Sequence, residues 1–351
     1  MHKFLAIMKK MSLLLLLLAT VLSCTGGRDK YVQISGYAQG GTYTVKINVK
    51  GVSVPVETIR DSVDAILLQI DTTLSGYNRN SLLARFNAGE KIRPNAMFLE
   101  VYAMGYKLWE RSGGALDFAA GPLFDAWGFG FKNSSFPTDD EICSLLRSCG
   151  MAHLPARLPL KDGILDPAEV GSPKLNYNAV AQGYSCDVVA RYLYGIGVKD
   201  MLVDIGEIWC DGLNPSGEPW AVGIDRPEDR GEDNQEKEAI ESVWNSQGQP
   251  RGIVTSGNYR KFYVREGRKY AHTIDPVTGY PVNHNLLSAT VVSSASAAEA
   301  DAIATWCMVI GLDKARELIL ASNELEGCLI YEDEGGAMKQ WFSPGFSLRK
   351  Q

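Results

Sequence analysis

The chain has 351 residues, 45% of them hydrophobic, with 35 basic against 41 acidic side chains and a formal net charge of −6. That balance argues against a nucleic-acid partner, because binding phosphates calls for a basic surface. The apolar share is that of an ordinary globular core, and the length suits one large domain or two intimate ones.

The first residues set the expected compartment. Lys9 and Lys10 precede "MSLLLLLLATVLSC", an apolar run ending at Cys24. A basic start, an apolar core and small residues before a cleavage point predict a secretory signal. The run is shorter than the roughly 20 apolar residues a membrane span needs. "VLSC" is also the pattern of a bacterial lipoprotein signal, cut just before the cysteine. The expectation is a signal peptide over residues 1–23, a lipidated Cys24, a tether over 24–35 and one domain over 36–351. Acyl chains on Cys24, at about 0.8 kcal/mol per buried CH2, would hold the protein on a lipid membrane. No second apolar span follows, so a soluble body on a tether is expected.

"GGTYTVKINV" alternates and predicts a strand. "VETIRDSVDAILLQIDTTL" has helical spacing, and "AMFLEVYAMGYKLWERSGG" predicts a second helix closed by the Gly113-Gly114 pair. "TDDEICSLLRSCG" opens on Thr138 with Glu141 three residues on, a capping box. "NYNAVAQGYSCD", residues 176–187, has the look of a helix entry, and the helix should run to about Tyr194. "KDMLVDIGEIWCDG" and "PWAVGID" predict strands joined by a Gly-Pro-rich turn. Residues 226–251 predict a charged surface loop ending in a strand, and "RKFYVREGRKYAHTID" a hairpin turning at Glu266-Gly267. "LLSATVVSS" predicts a strand and "SAAEADAIATWCMVIG" a helix with an Ala-rich face and a glycine stop. A helix near 312–321 and two short strands close the chain. Strands in antiparallel runs, with helices between the groups, predict an α+β fold of mixed, largely antiparallel sheets packed with helices. No repeat period is visible. The common phosphate-loop patterns are absent. Of the six cysteines after Cys24, none forms a C-x-x-C pair; buried free thiols are expected rather than a zinc site.

Several stretches could carry chemistry. In "ADAIATW", Asp301 and Thr305 lie four apart and share a helix face. They are hard oxygen donors suited to Mg2+, or Asp301 caps a turn or meets a surface lysine. "HTIDPVTGYPV" joins His272, able to act near neutral pH, to a turn signal at Asp275-Pro276 and Thr278-Gly279. The alternative there is a satisfied hairpin. "TSGNY" could offer backbone N–H groups and a hydroxyl to a phosphate, or form a tight turn between strands. "GGALDFAAGPLFDAWGFG" puts Asp117 before a loop rich in Gly, Pro and aromatics. Phe124, Trp127 and Phe129 read mostly as core. Tyr77, in "LSGYNRNSLLARFN", either stacks on a ring or packs.

Taken in order along nearly all of the mature chain, these motifs resemble the ApbE-type FAD:protein FMN transferases. The resemblance runs through "GGTYTVKI", "SGYNRNSLLARFN", "GALDFAAGPLFDAWGFG", "NAVAQGYSCDVVARYL", "PWAVGID", "TSGNYRKFY", "HTIDPVTGYPV" and "EADAIATWCMVIG". It implies Asp301, Thr305 and the carbonyl of Ala179 as Mg2+ ligands. It also implies Tyr77 beside the flavin, Ala115, Leu116 and Asp117 as an FAD contact, Ile274 at a position touching FAD, and His272 as the base. Gly40 lies where the family usually has methionine. FAD would be the substrate, and the partner an exported or membrane flavoprotein with a Ser/Thr acceptor. The same site could instead hydrolyse FAD to FMN and AMP, or bind a flavin without turning it over. Three departures stand out. Asn176 replaces the family's Asp, Gln182 replaces the Lys of "AKGY", and "VDIGEI" lacks one glycine of "GGE". Exchanging an ionic couple for an amide couple is tolerable because burying ions is costly, and the two amides are expected to bond each other or FAD.

Overall fold

The structure, a computed structural model, describes residues 30–129, 136–225, 227, 240–258, 262–265, 268–271 and 273–349. The predicted signal, Cys24, the Glu266-Gly267 turn and His272 lie outside these. Among the described residues no helix is long and apolar enough to cross a membrane.

Strands β1 (Tyr31–Ala38) and β2 (Gly41–Asn48) form a hairpin in unbroken antiparallel register. Its two-residue turn, Gln39-Gly40, has positive φ at both positions, 52° and 81°, as a turn matching strand twist requires. β1 corrects the expected tether, whose residues 31–35 are strand. The signal was faint because Ile34 is the one β1 side chain fully buried. Beyond the hairpin lie β3 (Met201–Asp204), β4 (Ile208–Asp211), β7 (Arg251–Gly257), β10 (Leu286–Ser293), β11 (Leu325–Glu332) and β12 (Met338–Phe342). Together they make one eight-stranded sheet in the order β1-β2-β3-β4-β7-β10-β11-β12. Every neighbouring pair in it is antiparallel. Two separate hairpins, β5 (Ala221–Asp225) with β6 (Ile240–Asn245) and β8 (Phe262–Arg265) with β9 (Arg268–Ala271), complete the strands. The expected α+β class holds.

Helices cover one face of the sheet. These are α1 (Val56–Leu74), α2 (Leu82–Asn87), α3 (Ala96–Ser112), α4 (Gly121–Ala126), α5 (Asp139–Ser148), α6 (Ala181–Gly195), α7 (Ala297–Ile310) and α8 (Leu312–Leu320). α1 turns Ile59, Val63, Leu67, Ile70 and Leu74 inward at three- and four-residue steps, the stripe its sequence predicts. α3 opens on Asn95, whose side chain accepts from the Phe98 amide, and ends on Gly113 at φ 60°. α5 carries the predicted capping box, with both Thr138 and Glu141 bonds made. The opposite sheet face packs on Trp220, Ile224, Trp244 and Phe346. All six cysteines among the described residues are free. Four are buried as expected. Cys143 is exposed, because α5 buries only Ile142.

Two helices meet closely. α7 is apolar nearly all round, the pattern of a helix surrounded by protein, and ten of its residues are buried. On α6, Gly183 and Asp187 lie one turn apart and both touch the start of α7. A Cβ on Gly183 would sit 2.4 Å from the Ala297 carbonyl oxygen and 2.8 Å from the Ala298 nitrogen. The Asp187 carboxylate accepts from the Ala297 and Ala298 amides at 2.8 and 2.9 Å. A negative group on the unpaired N–H groups of a helix start is favourable. Gly183→Ala should therefore destabilise the fold, although alanine is the better helix former. We expect a loss of about 1–3 kcal/mol, typical of overpacking, read from urea unfolding midpoints. An unchanged or raised midpoint would contradict this packing.

Candidate functional site

The α6–α7 contact leads to a buried acid. Asp301, on the second turn of α7, is 6% exposed. Its Oδ2 accepts the Gly183 amide at 3.1 Å. Burial pushes its carboxyl up, the Gly183 bond opposes this, and the Asp187 charge adds to the rise. Burying a carboxylate without a cation is expensive, and the structure gives Asp301 a single backbone donor. The Gly183 amide is one of the N–H groups at a helix start that have no partner within the helix; the first turn of α6 closes through the Tyr184 amide onto the Val180 carbonyl at 2.8 Å.

Thr305 follows Asp301 by one turn, half-buried, with its Oγ1 3.5 Å from Ser256 Oγ on β7. The carboxylate, the hydroxyl and the Ala179 carbonyl, which lies just before the α6 N-cap Val180, are hard oxygen donors of the kind Mg2+ takes. Among the described residues no group of three or more His, Cys, Asp or Glu side chains gathers, so nothing there competes as a softer, nitrogen- or sulfur-rich site. The donor set fits Mg2+.

The entry to α6 brings further expected residues together. Asn176 donates its amide to the Phe118 carbonyl at 2.7 Å, tying this turn to the Ala115–Asp117 loop. Its Oδ1 accepts the Asn178 amide at 2.9 Å, an Asx turn. Asn178 Nδ2 in turn donates to the Tyr77 hydroxyl at 3.3 Å. Tyr77 is 71% exposed and stands beside Asn178, the residue preceding Ala179. The hairpin tip reaches the same helix, where the Gln39 amide donates to the Ser185 hydroxyl. This puts Gly40 near the site.

Asn176 and Gln182 do not pair. Asn176 spends its side-chain oxygen on the Asx turn. Gln182 lies over Gly206 in the β3–β4 turn, where its Nε2 is 2.3 Å from the place a Gly206 Cβ would take. Gly206 has φ +84°, a conformation natural to glycine. The turn holds with one glycine because Ile205 buries its side chain in the core and Asp204 Oδ1 accepts the Gly206 amide at 3.2 Å. Glu207 Oε2 then accepts the Thr255 amide at 3.3 Å, linking the turn to β7.

The remaining expected residues form a second group. Ala115 and Leu116 are buried. Asp117 accepts the Ala119 amide at 2.8 Å and the Met151 amide at 2.9 Å, so its carboxylate fastens two loops. Burial raises its pKa, and the Met151 bond leads the opposing causes. Asp117 also lines a cavity of about 220 Å3 with Trp109, His153 and Val277. Asp275 builds the predicted turn, accepting Val277 N at 2.9 Å and the Thr278 hydroxyl at 3.1 Å. Ile274, however, is wholly buried against Leu123, Trp127 and Ile142. Its side chain is core, and only its backbone could meet a ligand. Trp127 is also core, with Nε1 donating to the Gly279 carbonyl at 2.8 Å.

The sequence profile of the ApbE family matches residues 40–329. The chain is 31% identical over 296 residues to "FAD:protein FMN transferase" of Escherichia coli (strain K12), covering 82% of this chain and 80% of that protein. It is 31% identical over 322 residues to the Vibrio cholerae protein of the same name, covering 90% and 91%. Among solved structures, the flavinyl transferase ApbE of Pseudomonas stutzeri, apo form, superposes with TM-score 0.75 at 31% identity, covering 90% of this chain and 95% of that one. The flavin transferase ApbE of Vibrio cholerae gives 0.74 at 29% identity, with coverage of 90% and 98%.

The Gln182–Gly206 contact makes a checkable statement. Gly206→Ala should cost about 1–3 kcal/mol of stability through its positive φ and the crowding of Gln182. Adding Gln182→Ala should return at least about 0.5 kcal/mol by removing the crowding. A double-mutant cycle of urea unfolding reads both. Strict additivity would show that the two residues do not press on each other.

Proposed function

The chain belongs to the ApbE family, and on that premise we propose that it transfers FMN from FAD to a serine or threonine hydroxyl of an acceptor protein, with Mg2+ held by Asp301, Thr305 and the Ala179 carbonyl. The observation that carries this reading is the buried Asp301 carboxylate, which has one backbone donor and a hydroxyl one turn away. When bound there, Mg2+ supplies neutralisation of the diphosphate charge and polarisation of the phosphorus next to riboflavin.

The chain's own residues set the rest of the arrangement. Tyr77 offers a largely exposed aromatic side chain beside Asn178, of a kind that can stack on a flat ring. The Ala115–Asp117 loop, joined to the α6 entry through Asn176, lies on the side from which the rest of FAD would be held. Gln182 brings no charge to the substrate. Its amide, packed on Gly206, offers hydrogen bonds where the family's lysine would bring a cation. His272 is assigned the role of base on the resemblance alone. It takes the proton of the acceptor hydroxyl. The hydroxyl oxygen then forms a bond to the FMN phosphorus while the bond to the bridging oxygen breaks, and AMP leaves with the electron pair. Water attacking in place of the hydroxyl would make the protein an FAD pyrophosphatase.

The acceptor is then an exported or membrane flavoprotein with an accessible Ser/Thr. The lipoprotein pattern at Cys24 supports an anchor on a membrane facing the same compartment. The test is to incubate the body lacking residues 1–24 with FAD, Mg2+ and a candidate acceptor, following AMP and covalent flavin. Both should appear, and EDTA should stop both. Asp301→Ala and Thr305→Ala should each lower turnover by about 100-fold or more, the scale on which loss of a key electrostatic group acts. AMP release unchanged in these variants would refute the metal assignment. AMP and FMN without covalent product would favour hydrolysis, and flavin binding without AMP a storage role.

A further inference from the structure

We propose that Ser256 is a positioning residue for Thr305, accepting its hydroxyl proton so that a lone pair of Thr305 Oγ1 faces the cation; this rests on the reading of Asp301 and Thr305 as cation ligands. The placement follows from how β7 runs along α7. A Cβ on Gly252 would sit 2.5 Å from Ala297 Cα. Val254, two residues on and on the same strand face, belongs to the core formed with Ala298, Ala302 and other α7 side chains. Ser256 is the next residue on that face, and its Oγ is 3.5 Å from Thr305 Oγ1. From 252 to 256 the strand advances about 13 Å, and from 297 to 305 the helix advances about 12 Å. The two elements therefore run side by side in step. A hydroxyl stands on the helix-facing side of β7 at the place where α7 presents Thr305.

Two details show where this hydroxyl is directed. On β10 the residue opposite Ser256 is Ala289, which offers no cross-strand partner. The neighbouring pair, Thr255 and Thr290, faces the other way, and its hydroxyls meet each other at 2.9 Å. Thr305 also departs from the common habit of helical hydroxyls. Thr72 and Ser185 donate to carbonyls four residues earlier, at 2.9 and 2.6 Å. Thr305 instead meets the strand. A hydroxyl has one proton and two lone pairs. One that gives a lone pair to a cation needs an acceptor for its proton, and partners of that kind orient metal ligands elsewhere.

The test uses Mn2+ as the probe, its binding to the protein followed by the loss of the free-ion EPR signal, with urea midpoints as a fold control. Asp301→Ala should abolish binding. Ser256→Ala should weaken it about tenfold, and Ser256→Thr, which keeps the hydroxyl, should stay within about twofold of the native protein. In turnover assays Ser256→Ala should raise the Mg2+ concentration for half-saturation and leave the maximal rate largely unchanged. If Asp301→Ala loses the ion and Ser256→Ala binds it like the native protein, the positioning role is wrong and the metal site stands. A loss in Ser256→Ala that Ser256→Thr does not restore would also overturn it, because packing rather than the hydroxyl would be responsible. If Asp301→Ala binds Mn2+ as tightly as the native protein, or the native protein binds none, the metal reading fails and the proposal with it.

Discussion

A carboxylate buried in an almost wholly apolar helix is the constraint on which this structure turns. Asp301 is 6% exposed, on a helix of alanines and large apolar residues, and it accepts the Gly183 amide. That bond requires α6 and α7 to approach until backbone meets backbone, which only glycine at 183 permits. It uses an amide of the α6 start that has no partner within its own helix. Asp187 holds the approach in place by binding the first amides of α7. Two acids one helix apart, with the Asp187 charge adding to the rise that burial gives Asp301, are poor design for stability alone. A cation held there, as proposed, would offset that cost.

Much of the fold was legible because its elements are locally consistent. The apolar stripe of α1, the capping box of α5 and the glycine stops after α3 and α7 all fall where the sequence puts them. The start of β1 was hidden because a strand with a single fully buried side chain barely alternates. The shared helix face of Asp301 and Thr305 was readable from four-residue spacing, though spacing alone could not tell a buried pair from an exposed one. The Gly183–Asp187 lock has the same spacing in the sequence. It went unread because its meaning lies in a helix more than a hundred residues away. Ile274 shows the converse. It stands in a motif rich in chemistry, and its side chain is simply core.

The departures from the family pattern are absorbed in different ways. Asn176 and Gln182 were expected to replace an ion pair by an amide pair, and the structure separates them. Asn176 shapes the turn into α6, a role an aspartate could fill equally because both side chains accept from the backbone two residues on. Gln182 lies over the turn that has lost a glycine. The substitution and the deletion are thus neighbours in space, although they are more than twenty residues apart in sequence. A glutamine head packed on Gly206 needs the space that any other residue there would fill. The two changes are best understood as one adjustment.

The site also illustrates how a sheet and two helices can hold a small set of oxygens still. The β3–β4 turn is fixed to β7 through Glu207 and the Thr255 amide, β7 to α7 through Ser256 and Thr305, α7 to α6 through Asp301 and Gly183, and α6 back to the turn through Gln182 and Gly206. This is a closed ring of contacts among four elements. A ring of this kind resists distortion better than the same contacts made on one loop, because moving any member strains its two neighbours. Phosphoryl transfer depends chiefly on positioning and charge. For that chemistry, rigidity in the ring matters more than the strength of any single bond within it, and long contacts such as the 3.5 Å approach of Ser256 to Thr305 are sufficient.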